Sequence, residues 1–181
     1  MTVIYDANVL YPNTLRDLLI RLARAGTVQA RWTEQILDEM TEALHRNRPD
    51  IDPARTRRLR DLMNAAVRDC QVTDYQDLTD TIDLPDKDDR HVVAAAIAAG
   101  AHSIITWNLR DFPADRLAAY GLQAQTPDDF VCALIEEFRP VVWSCIQQIA
   151  DARVMRPQTA QDVLAQLERD GLIRAVARIG A

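Results

Sequence analysis

The 181-residue chain is poor in several residue types on which large classes of protein depend. Its three cysteines, Cys70, Cys132 and Cys145, are odd in number and never spaced as C-x-x-C. That removes a disulfide scaffold, a thiolate zinc site and a dithiol redox centre, and fits a reducing cytoplasm. Five glycines form neither a phosphate-binding loop nor a dinucleotide fingerprint, and three histidines form no H-E-x-x-H zinc-protease motif. Ser103 and Ser144 are the only serines, and neither lies in a G-x-S-x-G elbow, so a serine nucleophile has little support. No stretch approaches the ~18 uninterrupted apolar residues of a membrane span, and the first residues lack the basic-then-apolar pattern of an export signal. The expectation is a soluble, cytoplasmic protein with no membrane partner.

What is present in excess is acid: 27 Asp and Glu against 21 Lys and Arg, for a net charge of −6. Such a balance argues against coating nucleic acid through an overall positive field, but not against an enzyme that acts on it locally. The charges are unevenly spread. Arg55, Arg57, Arg58 and Arg60 sit together, followed by the acidic run Asp74, Asp77, Asp80, Asp83, Asp86, Asp88 and Asp89. The arginines are either a solvated helix face or a basic surface beside an acidic pocket.

Nearly half of the residues are apolar, enough for a sizeable core in one domain with an appendage. Val3-Ile4-Tyr5 reads as a buried strand running into Asp6. Leu15 to Ala25 is a helix stopped by Gly26, and Val28 to Trp32 is a second strand. Thr33 then caps a helix with Ile36, Leu37, Met40 and Leu44 on one face and Glu39 beside them. Pro53 to about Asp69 is helical with Leu59, Leu62, Met63 and Ala66 as its apolar face, and Cys70 to Thr73 is a short strand. A helix from Asp88 or Asp89 to Gly100 precedes the strand Ser103 to Thr106. Thr126-Pro127-Asp128-Asp129 opens a further helix. Alternating strands and helices predict an α/β fold, an α/β/α sandwich with a central parallel sheet and ligands bound beyond the carboxyl ends of its strands. After Pro140 the pattern is purely helical, through Val142–Ala152 and a segment opened by Thr159. Residues 1–139 therefore read as the main domain and 140–181 as a C-terminal helical extension.

With nucleotide loops, thiolates and serine elbows removed, oxygen-ligand chemistry is left. Several carboxylates in one pocket need a cation to relieve their repulsion, and Mg²⁺ or Mn²⁺ prefers oxygen donors. A pair of such ions roughly 3.5–4 Å apart can activate water and stabilise the leaving oxygen of a phosphodiester. Taken singly, Asp6 could begin a turn, Glu39 could be solvated, Asp89 could cap a helix and Asp111 could open the turn before Pro113. Their joint placement at strand ends and helix starts is the signal. Within the acidic run, helical phase selects Asp89, which projects along the direction of Val92, Val93, Ala96, Ile97 and Gly100; Asp88 falls at the N-cap, and Asp86 precedes the helix.

Four segments, Ile4-Tyr5-Asp6-Ala7-Asn8, Ile36-Leu37-Asp38-Glu39, Asp86-Lys87-Asp88-Asp89 and Thr106-Trp107-Asn108-Leu109-Arg110-Asp111-Phe112, resemble in order the motifs of PIN-domain nucleases, particularly VapC-type toxins. The resemblance implies a PIN-like fold and a metal-dependent endoribonuclease that uses Mg²⁺ or Mn²⁺. It makes Asp6, Glu39, Asp89 and Asp111 the catalytic, metal-binding acids and Asn8 and Asn108 secondary polar groups. It also implies an RNA substrate, a cognate antitoxin protein and a homodimer; if the arginine cluster is a basic surface, Arg55, Arg57, Arg58 and Arg60 are candidate RNA contacts. Some nucleases of this wider class carry an acid where Asn108 stands, and a neutral amide is the weaker cation ligand. A phospho-receiver module would require a lysine after a late strand, whereas the single lysine, Lys87, lies in the acidic loop. A dehalogenase-type phosphatase requires Asp-x-Asp after the first strand, where this chain has Asn8 as the second residue. A PIN-like scaffold without turnover is the remaining alternative, and the four acids weigh against it.

Overall fold

The computed structural model describes residues 1–180. The chain opens with β1 (Thr2–Tyr5), α1 (Ala7–Leu10), α2 (Asn13–Arg24), β2 (Gln29–Arg31) and α3 (Glu34–Asn47). It continues through α4 (Pro53–Ala66), α5 (Gln76–Thr79), α6 (Arg90–Ala98), β3 (Ser103–Ile105), α7 (Ala114–Ala118) and β4 (Gln123–Gln125). The remainder is helical: α8 (Pro127–Asp151), α9 (Ala160–Arg169) and α10 (Ile173–Gly180). The four strands form one parallel sheet in the order β2-β1-β3-β4, with Ile4 opposite both Arg31 and Ile104.

Central strands of a parallel sheet are covered on both faces, and their side chains accordingly carry no polar alternation. Val3, Ile4 and Tyr5 of β1 and Ile104 and Ile105 of β3 are all inaccessible to solvent. The Tyr5 ring packs between Trp32 and Phe130, and burial drives its phenol pKa upward. The order of the strands also locates the site. From β1 the chain passes to β2 on one side, and from β3 to β4 on the other, so the crevice of the sheet opens between the carboxyl ends of β1 and β3. Asp6 and Thr106 are the residues that follow those two ends.

The helices start where local chemistry sets them. Thr33 accepts from the Ile36 N–H at 3.1 Å, Asp52 from the Ala54 N–H, and Thr126 from the Asp129 N–H ahead of Pro127 at the first turn of α8. Thr159 and Asp162 exchange bonds in a capping box at α9. α8 runs across residues 139 and 140 with a kink at Phe138, where φ/ψ leave the helical region two residues ahead of Pro140, the proline inside this helix.

Several local expectations are corrected. Cys70 to Thr73 is not a strand; only Gln71 bridges to Trp32, just past β2, and the fourth strand is β4 at the opposite edge of the sheet. The expected segment Val142–Ala152 lies in the helix that follows the Phe138 kink, the second of the two that make up α8. Leu62 is 57 % exposed rather than part of the apolar face of α4. In α6, His91 to Ala96 are all buried, so this helix has no single inward stripe; Ile97 is half-buried and Gly100 exposed. The run Val92–Ala96 is buried on every side because its small apolar side chains offer no polar face to solvent.

Candidate active site

Asp6 stands at the N-cap of α1, 5 % exposed, with both carboxylate oxygens held. Oδ1 accepts from the Ala7 N–H at 2.7 Å; Oδ2 accepts from Asn8 Nδ2 at 2.7 Å and from the Thr106 hydroxyl at 2.7 Å. Asn8 and Asn108 converge on the same hydroxyl, since Asn8 Nδ2 and the Asn108 N–H donate to Thr106 Oγ1 at 2.9 and 3.0 Å. Loss of hydration raises the Asp6 pKa, opposed by the bonds from Thr106 and Ala7 and by His91, and reinforced by the charge of Glu39.

The strand end after β3 brings a second acid. Asn108 Nδ2 donates to Asp111 Oδ2, and the Asp111 N–H donates to Asn108 O at 3.2 Å, a turn that folds Asp111 back toward the sheet. Asp86, Asp89 and Asp111 each place one carboxylate oxygen so that the three lie within 4.8 Å of one another. Burial first, then the charges of Asp6, Asp86 and Asp111, lift the Asp89 pKa from 3.8 to about 7, with His91 pulling the other way. A carboxylate that shares its pocket with three others is forced toward its protonated form unless a cation enters.

In the acidic loop the expected capping is overturned. Asp89, not Asp88, occupies the N-cap of α6, and it makes no side-chain cap bond. The local side-chain bond belongs to Asp86, whose Oδ1 accepts from the Asp88 N–H at 2.9 Å, while Asp88 itself is exposed. The loop turns through Asp86 before the helix begins, and that turn swings the Asp86 carboxylate toward Asp89 and Asp111.

Glu39 reaches the same region from α3, anchored by the buried Ile36, Leu37 and Met40. Its Oε1 lies 2.8 Å from Nε2 of His91, which is 3 % exposed. The approach is out of line with the ring N–H, so this is a close contact rather than a hydrogen bond, and neither ring nitrogen of His91 has a hydrogen-bond partner. Glu39 forms the wall between two clefts. One, of about 460 Å³, is lined by Gln35, Thr79, Lys87, Asp88, Asp89 and His91; the other, of about 290 Å³, is lined by Ala7, Asn8, Tyr11, Met40, Ala43 and Asn47.

Asp6, Glu39, Asp89 and Asp111 are thus linked in one electrostatic cluster, with Asn8 and Asn108 bracing it. Asp86, Thr106 and His91 were not singled out from the sequence. Thr106 and Asp86 open the segments that carry Asp111 and Asp89, and this was the available signal; His91 had none, because a histidine on an apolar helix reads as core. Arg55, Arg57 and Arg58 are exposed on α4, whereas Arg60 is engaged by Glu34 and Asp38 of α3. Five carboxylates supplying oxygen donors, two of them, Glu39 and Asp89, without a hydrogen-bond donor among the described residues, fit a hard divalent cation.

The family model described as the PIN domain matches residues 2–110, and the one described as the VapC50 C-terminal domain matches residues 127–181. The chain belongs to the PIN domain family. It is 37 % identical over 79 residues to a Mycobacterium tuberculosis protein named "Putative ribonuclease VapC50", a match that covers 44 % of this chain and 47 % of that relative. The match therefore spans about half the length of the relative. No solved structure matches the chain.

Proposed function

We propose that the protein is a metal-dependent endoribonuclease and the toxin of a type II toxin–antitoxin pair. The observation that carries this reading is the carboxylate cluster at the sheet's crevice, where burial first and then its acidic neighbours lift Asp89 to about 7. Support for RNA as substrate and for a small inhibitory partner comes from the VapC50-like relative and the family model of its C-terminal domain.

Asp6, Glu39, Asp89 and Asp111, with Asp86 beside them, would hold Mg²⁺ or Mn²⁺. When bound, the ion supplies Lewis acidity and a water of lowered pKa at neutral pH. The chain's own groups do the positioning. Asn8 and Thr106 fix the rotamer of Asp6, and Asn108 fixes Asp111. Lys87 at the cleft wall and the exposed Arg110, 3.7 Å from Asp111, place positive charge where a phosphate backbone would run past the acids. Arg55, Arg57 and Arg58 are remoter candidates for the same role. The site offers no nucleophile of its own, so water is the attacking group and the product ends are set by hydrolysis.

The test is cleavage of structured and single-stranded RNA by the purified protein with Mn²⁺, with and without chelator, beside Asp6→Asn. Cleavage that requires the metal and fails in the variant is expected. Undiminished metal-free cleavage would overturn the mechanism, and no cleavage of any RNA would favour a binding scaffold. Co-expression with a neighbouring small protein is expected to relieve toxicity, and light scattering to give a homodimer.

A further inference from the structure

We propose that the C-terminal helical segment is a positioning element of the carboxylate site, acting through the seat that Gly171 provides for the Trp107 ring. The inference rests on the metal-dependent reading above for its consequence, but its geometry stands apart from it. Trp107 directly follows Thr106, the hydroxyl that holds Asp6, and its own N–H donates to Asn8 Oδ1 at 3.0 Å. Asn8 in turn donates to Asp6 Oδ2 at 2.7 Å. Trp107 is therefore one bond from each of the two groups that fix the most deeply buried acid.

On its other side the indole lies against Gly171. A Cβ at 171 would fall 2.7 Å from Trp107 Cη2 and 2.9 Å from Cζ2, closer than real Cβ atoms approach. Gly171 also adopts φ +107°, which L residues rarely reach, so two independent requirements select glycine at the turn between α9 and α10. The turn is held by the Gly171 and Leu172 N–H groups, which donate to Glu168 O at 3.0 Å and Leu167 O at 2.9 Å.

The seat is fastened to β4, the edge strand that hydrogen-bonds the Thr106 backbone. Asp128, in the first turn of α8, accepts from the Arg174 and Ala175 N–H groups at 3.2 and 2.9 Å and so clamps the start of α10. α8 follows β4, and the Thr106 N–H donates to Gln125 O of β4 at 3.0 Å. A closed ring of contacts thus runs from Thr106 through β4, Asp128, α10 and Gly171 back to Trp107. The segment between Trp107 and the buried Phe112 contains Asn108 and Asp111, while Leu109 and Arg110 are exposed. That loop is pinned at one end on the PIN core by Phe112 and at the other on the extension by Trp107.

The experiment compares full-length Trp107→Ala, Trp107→Phe and Gly171→Ala with Val163→Ala, a buried residue of α9 away from the seat. The readouts are melting temperature, Mn²⁺ dissociation constant by calorimetry and hydrogen exchange of the Trp107 and Asn108 amides, all taken where each variant is folded by circular dichroism. Expected are a loss of Mn²⁺ affinity of about tenfold in Trp107→Ala and Gly171→Ala, faster exchange at both amides, and substantial recovery in Trp107→Phe, which keeps a ring on the glycine. Val163→Ala should lower the melting temperature and leave affinity and exchange unchanged. Unchanged affinity and exchange in Trp107→Ala would overturn the proposal, as would equal losses in Val163→Ala. Should Gly171→Ala not fold, the two Trp107 variants decide. Should the wild-type chain bind no Mn²⁺, the metal reading fails, and the exchange contrast between Trp107→Ala and Val163→Ala alone upholds or overturns the seat.

Discussion

Asp6 and Asp128 are buried to nearly the same degree, 5 % and 7 % exposed, yet the fold treats them differently. Asp128 in the C-terminal half takes the Arg174 and Ala175 N–H groups and the Arg174 guanidinium at 3.2 Å, so its charge meets an internal cation and a helix N-terminus. Asp6 receives only neutral donors and faces Glu39 and Asp89. One acid is neutralised by the chain and serves its stability. The other is held in place, left uncompensated and surrounded by more acid, an arrangement that makes sense when compensation comes from outside.

The sharpest way to break that contrast is to exchange consequences between the two residues. Asp6→Asn is expected to keep the melting temperature and reduce Mn²⁺-dependent RNA cleavage by about a hundredfold or more, since a ligand is lost while shape is kept. A variant with wild-type turnover would move the site elsewhere.

Asp128→Ala is expected to do the reverse. Leaving the Arg174 and Ala175 N–H groups without their acceptor should destabilise the protein by about 1–3 kcal/mol in urea unfolding, with Mn²⁺ affinity changed less than in Asp6→Asn. A stability loss in Asp6→Asn equal to that in Asp128→Ala would erase the distinction.

The pH dependence sharpens it further. The unfolded chain releases the Asp89 proton near 3.8 and the folded chain only near 7. The folded state therefore binds the extra proton, and metal-free stability falls as pH rises through that window, the raised Asp6 pKa acting in the same direction. Denaturation of metal-free protein at a series of pH values should show the fall, and Asp89→Asn or saturating Mn²⁺ should flatten it. The smallest effect is expected at Arg60, whose pairs with Glu34 and Asp38 lie on the surface; Arg60→Ala should change stability by no more than about 1 kcal/mol and leave RNA affinity closer to wild type than Arg57→Ala does.

Much of this site was legible because its parts are local. Asp6 follows an apolar β-rich triplet, Glu39 lies beside a helical stripe, and Asp111 closes a recurrent segment, so each could be placed from its neighbours in sequence. The acidic loop was only half legible. Helical phase set Asp89 apart from Asp88 but placed the N-cap one residue early, and the turn that recruits Asp86 depends on a side-chain bond to the Asp88 N–H, which periodicity does not encode. His91 was silent for a related reason, because nothing in an alanine-rich helix announces that Glu39 from α3 will lie 2.8 Å from its ring.

By itself, the sequence determined the alternation of strands and helices and the acids at strand ends, since composition, apolar period and capping residues act over a few positions. Only the tertiary structure decided which acids meet. The order β2-β1-β3-β4 puts the ends of β1 and β3 side by side and opens the crevice there. It also decided that the helical tail meets Trp107 beside Thr106, because the contact of Gly171 with Trp107 joins residues 64 positions apart in the chain. Such pairings depend on the packing of whole elements, and no local pattern carries their energy.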